Sequence, residues 1–166
     1  MAKTLTGPDF TGMLLAAVAK VEAEVTTLSR LDSVCGDGDH GTTMKRALTG
    51  AVTAAAGAPQ EDLPGVVEAA AWAVMSTDGG ATCPLFGSFF MGLSEGLKGA
   101  GAPDASGTAT AFEAGLAALR KQTPAKPGDK TMIDAMIPAV EALRQASASG
   151  ANLGDAFASA ADAAEA

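Results

Sequence analysis

The sequence predicts an all-α fold, an up-and-down bundle of seven helices, on three observations. Apolar residues recur at steps of three and four nearly everywhere. Clusters of Gly and Pro break that rhythm at Gly57-Ala58-Pro59, at Gly99 to Pro103 and at Pro124 to Gly128. The many alanines let neighbouring helix backbones approach closely, as a bundle needs. No stretch alternates convincingly enough to make a strand.

The first helix carries Phe10, Leu14, Val18, Val21, Val25 and Leu28 on one stripe. The second repeats the period in Met44, Leu48 and Val52, and the third in Leu63, Val67, Ala70 and Val74. Phe86, Phe89, Phe90, Leu93 and Leu97 mark the fourth; Pro84 suits its first turn, where the missing N–H is no loss. The fifth holds Phe112, Leu116 and Leu119. The sixth follows near Ile133 to Leu143 and contains Pro138, so it should bend there or start late. The seventh runs from Leu153 to Ala164.

A chain of 166 residues, 48% of them hydrophobic, suits one domain spanning 1–166 with a continuous core. Its net charge of −8 and its scattered Lys and Arg argue against a grip on nucleic acid. The start, Met1 to Gly7, lacks a signal-type apolar core, and no run is long enough to span a membrane, so a cytoplasmic protein is expected. Cys35 and Cys83 belong to no CxxC pair and read as free thiols; zinc is not indicated.

The densest chemistry lies between Asp32 and Met44, where Asp32, Asp37, Asp39, three glycines and the single histidine of the chain, His40, crowd together. Gly36-Asp37-Gly38-Asp39-His40-Gly41 matches G-x-G-x-x-G in form. A helix precedes it rather than a strand, and its carboxylates would repel a bare pyrophosphate, so a Rossmann turn is excluded. An EF-hand is excluded as well, because the loop opening at Asp37 has Leu48 at its twelfth position. A Walker A loop is absent, since the chain has no Gly-Lys pair.

Three carboxylates this close repel one another unless a cation sits between them, and hard divalent ions prefer oxygen ligands. The next helix opens at His40-Gly41-Thr42-Thr43, whose free N–H groups and positive dipole end favour anions. Together they read as a Mg-polyphosphate site, with His40 donating a hydrogen bond to a phosphate oxygen. The alternative, a helix cap and a solvated turn, needs one carboxylate rather than three. Thr77 to Pro84 and Pro127 to Met132 lead into two more helices. Singly each is an ordinary cap; with the Asp loop they read as helix ends converging on one ligand.

These three segments resemble the ADP-binding L subunit of dihydroxyacetone kinases, whose marks are G-D-G-D-H-G, G-G-A-S-G-P-L-[FY]-G and P-G-D-K-T-M. Here Gly36 to Gly41, Pro84-Leu85-Phe86-Gly87 and Pro127 to Met132 stand in that order. The resemblance implies an antiparallel eight-helix barrel with the nucleotide at one end. It makes Asp32, Asp37 and Asp39 ligands of two Mg²⁺ ions that hold ADP or ATP. It makes His40, Gly41, Thr42 and Thr43 phosphate contacts, Ala81 and Thr82 a second contact, and Met132 a wall for the adenine. Thr123 stands where a nucleotide-contacting Gly is common.

The resemblance also implies phosphoryl transfer to dihydroxyacetone held by a histidine of a separate K subunit. No second histidine remains in this chain to do that, so no catalytic residue is expected within it. A phosphohistidine protein of the phosphotransferase system is an expected further partner in one branch of the family. Two other readings stay open: a non-catalytic ADP-Mg sensor for a transcription regulator, and the nucleotide module of a fatty-acid kinase, which usually has Thr in place of His40. A purely structural helical module is a third.

Three departures from the family matter. Thr43 replaces an Asn, and Thr82-Cys83 replaces Ser-Gly, which puts a side chain where backbone should approach the ligand. The family continues with an Arg-bearing lid and an eighth helix that nothing after Ala166 supplies. The expectation is a barrel open on one side, with exposed apolar faces and weakened nucleotide affinity.

Overall fold

The structure is a computed structural model describing residues 4–166; Met1 to Lys3, the start of the stretch read as carrying no leader, lie outside the described residues. Seven helices are present, α1 (Gly7–Asp32), α2 (His40–Gly57), α3 (Leu63–Met75), α4 (Thr82–Leu97), α5 (Ala105–Arg120), α6 (Met132–Ala148) and α7 (Leu153–Glu165), and no strand occurs among the described residues. No described helix is long and apolar enough to cross a membrane.

Each helix packs chiefly on its neighbours in the chain, from α1 on α2 through to α6 on α7. Short connections force this antiparallel order. The odd-numbered helices therefore begin at one end of the bundle and the even-numbered ones at the other. At the first end the Leu5 N–H donates to the Pro103 carbonyl, 2.8 Å away, tying the entry of α1 to that of α5. The circuit stays open: α1 has no substantial packing on α6 or α7.

That opening explains a difference from the expected stripe on α1. Phe10 and Leu14 are fully buried, whereas Val18 and Val21 are only partly covered and Leu15 and Leu31 are exposed. A long helix at an open edge has a partner over only part of its length. The core is instead centred on α3 and α4, where Val66, Val67, Ala70, Ala71, Val74, Leu93 and Leu97 are sealed from solvent.

Aromatic rings bridge the layers. Phe10 meets Phe90 edge-on at 5.9 Å between centroids, Phe90 meets Phe89 at 5.8 Å, Phe89 meets Phe112 at 5.7 Å, and Phe112 meets Phe157 at 5.5 Å. Edge-to-face pairs of this kind add roughly 0.5–1.5 kcal/mol each beyond burial. They link α1, α4, α5 and α7 across the interior. The α4/α5 contact is so close that a Cβ on Gly92 would lie 2.6 Å from the Ala114 carbonyl oxygen, so only glycine fits.

Helix α6 starts at Met132 and runs unbroken through Pro138 to Ala148, so the expected late start is not found. The ring removes the N–H that would reach the Asp134 carbonyl one turn back. A strong start compensates: Thr131 and Asp134 form a reciprocal capping box.

Candidate metal and anion site

Helix α1 ends at Asp32 and α2 begins at His40, leaving a turn of residues 33–39. The turn folds back on Asp32. The Gly36 N–H donates to the Asp32 carbonyl at 2.6 Å, and the Gly38 N–H donates to Asp32 Oδ2 at 2.9 Å. Two glycines permit this. A Cβ on Gly36 would sit 2.3 Å from Asp32 Oδ1, and Gly38 has a φ of +80° that side-chain-bearing residues rarely adopt.

The result is convergence. One carboxylate oxygen from each of Asp32, Asp37 and Asp39 lies within 4.8 Å of the others. Among the described residues no Lys or Arg pairs with any of them. Each pair of like charges at that spacing costs about 1 kcal/mol even in water. The donor set is all hard oxygen, Asp37 and Asp39 are exposed, and no Lys or Arg among the described residues neutralises the trio, so it fits a small divalent ion such as Mg²⁺.

The next turn supports Asp39. Thr43 is buried, and its hydroxyl donates to Asp39 Oδ2 at 3.1 Å. The Thr42 hydroxyl donates to the Asp39 carbonyl at 2.8 Å, and the Gly41 N–H donates to Ser29 Oγ at 3.2 Å. Thr43, expected as a phosphate contact, thus has its hydroxyl committed to holding a carboxylate. Asp39 occupies the N-cap position of α2 but makes no side-chain cap, and Ala81 at the start of α4 makes none either. Both helix openings keep N–H donors and a positive dipole end for an anion.

The Gly79-Gly80 loop before α4 is pressed onto α2: a Cβ on Gly79 would lie 2.1 Å from Thr43 Cγ2. The Arg46 guanidinium donates to the Asp78 carbonyl. Sequence reading missed both Arg46 and Ser29, because a lone Arg or Ser on a helix carries no local signal. The expectation that Cys83 intrudes on the ligand face is corrected. Its side chain is fully buried in the core, because the second position of α4 turns it inward. Burial pushes its thiol above the ordinary range; the Arg46 charge opposes this, while Asp39 and Asp78 add to it.

Beside the carboxylates lies a cavity of about 590 Å³. His40, Ala81, Thr82, Thr131 and Met132 line it together with apolar side chains that include Val21, Met44 and Phe86. Four expected site residues, His40, Ala81, Thr82 and Met132, therefore meet there. Thr123 does not: it is not among the lining residues, and its hydroxyl accepts the Ala125 N–H at 3.2 Å. The loop before α6 is held by Asp134, whose carboxylate accepts the Gly128 N–H at 2.6 Å and the Thr131 N–H at 2.9 Å.

The family model for the DAK2 domain matches residues 34–166. The ADP-binding subunit DhaL of the PEP-dependent dihydroxyacetone kinase 1 of Listeria innocua is 37% identical over 126 residues, which is 76% of this chain and 63% of that protein. The D-erythrulose kinase of Mycolicibacterium smegmatis is 38% identical over 148 residues, 88% of this chain and 25% of that one. The crystal structure of the dihydroxyacetone kinase from C. freundii in complex with AMP-PNP and Mg²⁺ superposes with a TM-score of 0.74 at 29% identity, over 93% of this chain and 28% of that chain. This chain thus spans less than two thirds of the length of these relatives. It belongs to the DAK2 domain family, and its all-helical fold is that of the matched part of the C. freundii dihydroxyacetone kinase.

Proposed function

We propose that residues 1–166 act as the nucleotide-binding unit of a kinase for short hydroxyketones, holding ADP or ATP through two Mg²⁺ ions while the acceptor, dihydroxyacetone or a close homologue, is bound on a separate K subunit. The convergence of Asp32, Asp37 and Asp39 within 4.8 Å beside the cavity mouth carries this reading. Mg²⁺ there would neutralise charge developing on the phosphate oxygens during transfer.

The chain's own groups divide the remaining work. The uncapped openings of α2 and α4 offer backbone N–H groups to the phosphates, and His40 adds a side-chain donor at the cavity wall. Met132 offers a polarisable apolar surface to the base. The protein supplies placement and electrostatics and no nucleophile, which agrees with an acceptor activated elsewhere. The relatives' names favour this reading, since one is an ADP-binding subunit and another phosphorylates a four-carbon ketose. Whether ATP is consumed, or bound ADP is recharged by a phosphohistidine protein, follows from which partner restores turnover.

Calorimetric titration of the chain with ADP tests the reading. Binding should appear with millimolar Mg²⁺ and vanish on adding EDTA, while the helical circular dichroism signal stays unchanged. Equal ADP binding in both conditions would remove the carboxylates from the site.

A further inference from the structure

The loop before α6 carries a device that the metal and phosphate chemistry does not use. Lys130 has a φ of 59° and is the one non-glycine residue in the left-handed region among those described. A side-chain-bearing residue stays there only when its surroundings hold it. Two carboxylates do so. Asp129 Oδ2 accepts the Lys126 N–H at 2.8 Å and closes the inner turn. Asp134, three residues into α6, reaches back with both oxygens, to the Gly128 N–H at 2.6 Å and the Thr131 N–H at 2.9 Å, and so spans Lys130 from either side. The residues that emerge from this clasp, Thr131 and Met132, line the cavity, while Asp134 does not.

We propose that Asp134 is a positioning residue for the nucleoside half of the ligand: its carboxylate fixes the 128–131 loop so that Thr131 and Met132 form a preset wall of the cavity. This rests on the nucleotide reading above, in which Met132 faces the base, and adds the residue that holds that wall in place. A capping box needs one carboxylate oxygen to reach its own N-cap N–H. Here the second oxygen takes Gly128, six residues back, which capping α6 does not require. Charge-assisted bonds of this length are the stronger kind, and the opening dipole of α6 favours the anion. In agreement, the N–H groups of Gly128 and Thr131 hold the Asp134 carboxyl below the usual carboxylate range.

The physical consequence is a split between two kinds of ligand. Met132 presents a thioether, suited to a flat apolar ring and indifferent to phosphate. Anion contacts belong to the α1–α2 turn and to the opening of α4, which Asp134 does not touch. Loosening the clasp should thus weaken ligands that carry a base and spare those that do not.

The test titrates the full chain with MgADP and with Mg-tripolyphosphate, in wild type, Asp134→Ala, Asp134→Asn and Gly128→Ala. In Asp134→Ala, MgADP should bind about tenfold more weakly, roughly 1.4 kcal/mol, with Mg-tripolyphosphate within about twofold of wild type. Asp134→Asn keeps one acceptor oxygen and should recover part of the loss. Gly128→Ala leaves α6 intact but places a Cβ on a residue with φ of +95°, so it should reproduce the split even if Asp134→Ala does not fold. Equal losses on both probes, or unchanged MgADP affinity in folded variants, would overturn the proposal. A wild type that binds tripolyphosphate and not ADP would also overturn it while leaving the metal-anion site intact. Binding of neither probe would remove the nucleotide reading itself.

Discussion

The two ends of this bundle treat their helix openings differently. At one end α1, α3, α5 and α7 each begin under a side chain that accepts a backbone N–H: Thr6 from Asp9, Asp62 from Gly65 at 3.2 Å, Asp104 from Gly107 at 2.9 Å and Asn152 from Asp155 at 3.2 Å. At the other end neither α2 nor α4 is capped by its own N-cap residue, even though α2 has an aspartate at that position; only the Gly41 N–H is taken, by Ser29 of α1. An omitted cap costs about 1 kcal/mol, so leaving two at the same end is unfavourable for folding alone. That end is where the carboxylates converge and the cavity opens. Helix α6 is the informative exception, since it opens at the same end yet is doubly capped. Its first residue, Met132, lines the cavity, as do His40 of α2 and Thr82 of α4.

The sharpest way to break this comparison is to remove one charge from the trio. Asp37→Asn keeps shape and loses a hard anionic ligand. Turnover with a K subunit and Mg-dependent ADP binding should fall by roughly 100-fold or more, given the several kcal/mol a bound metal supplies, while the thermal midpoint holds or rises. Unchanged turnover would take Asp37 out of the site. A smaller effect should come from Gly36→Ala. Its new Cβ would displace Asp32 Oδ1, 2.3 Å away, without touching the core. We expect roughly 10-fold weaker MgADP binding by calorimetry and little change in melting; a large loss of stability would mean that the turn is structural. The smallest effect belongs to the opposite end, where Asp104→Ala removes a cap. It should cost about 1 kcal/mol, or about 2–4 °C in Tm, with MgADP affinity unaltered. A matching loss of affinity would erase the distinction between the two ends.

Much of this was legible before any coordinates. Seven apolar stripes at helical spacing became seven helices, because a 3.6-residue period needs no long-range information. The Asp32, Asp37 and Asp39 cluster was legible for a similar reason: residues this close in sequence cannot separate far, so their carboxylates stay within reach of one another. The convergence of His40, Ala81, Thr82 and Met132 on one cavity was legible only as a resemblance, since nothing local connects those positions.

What stayed hidden is what depends on direction. Cys83 looked like an intrusion on the ligand face and proved to be core, because the rotation of α4 about its axis is set by packing against its neighbours. Thr43 looked like a ligand contact, and its hydroxyl serves Asp39. Arg46 reaches the Asp78 carbonyl 32 positions away, and Asp134 reaches back across a turn to Gly128. Local order along the chain set the helices and concentrated the acidic charge. The three-dimensional packing chose which donors are used up within the protein and which face outward, because a hydrogen bond is satisfied by whatever partner the fold brings within reach.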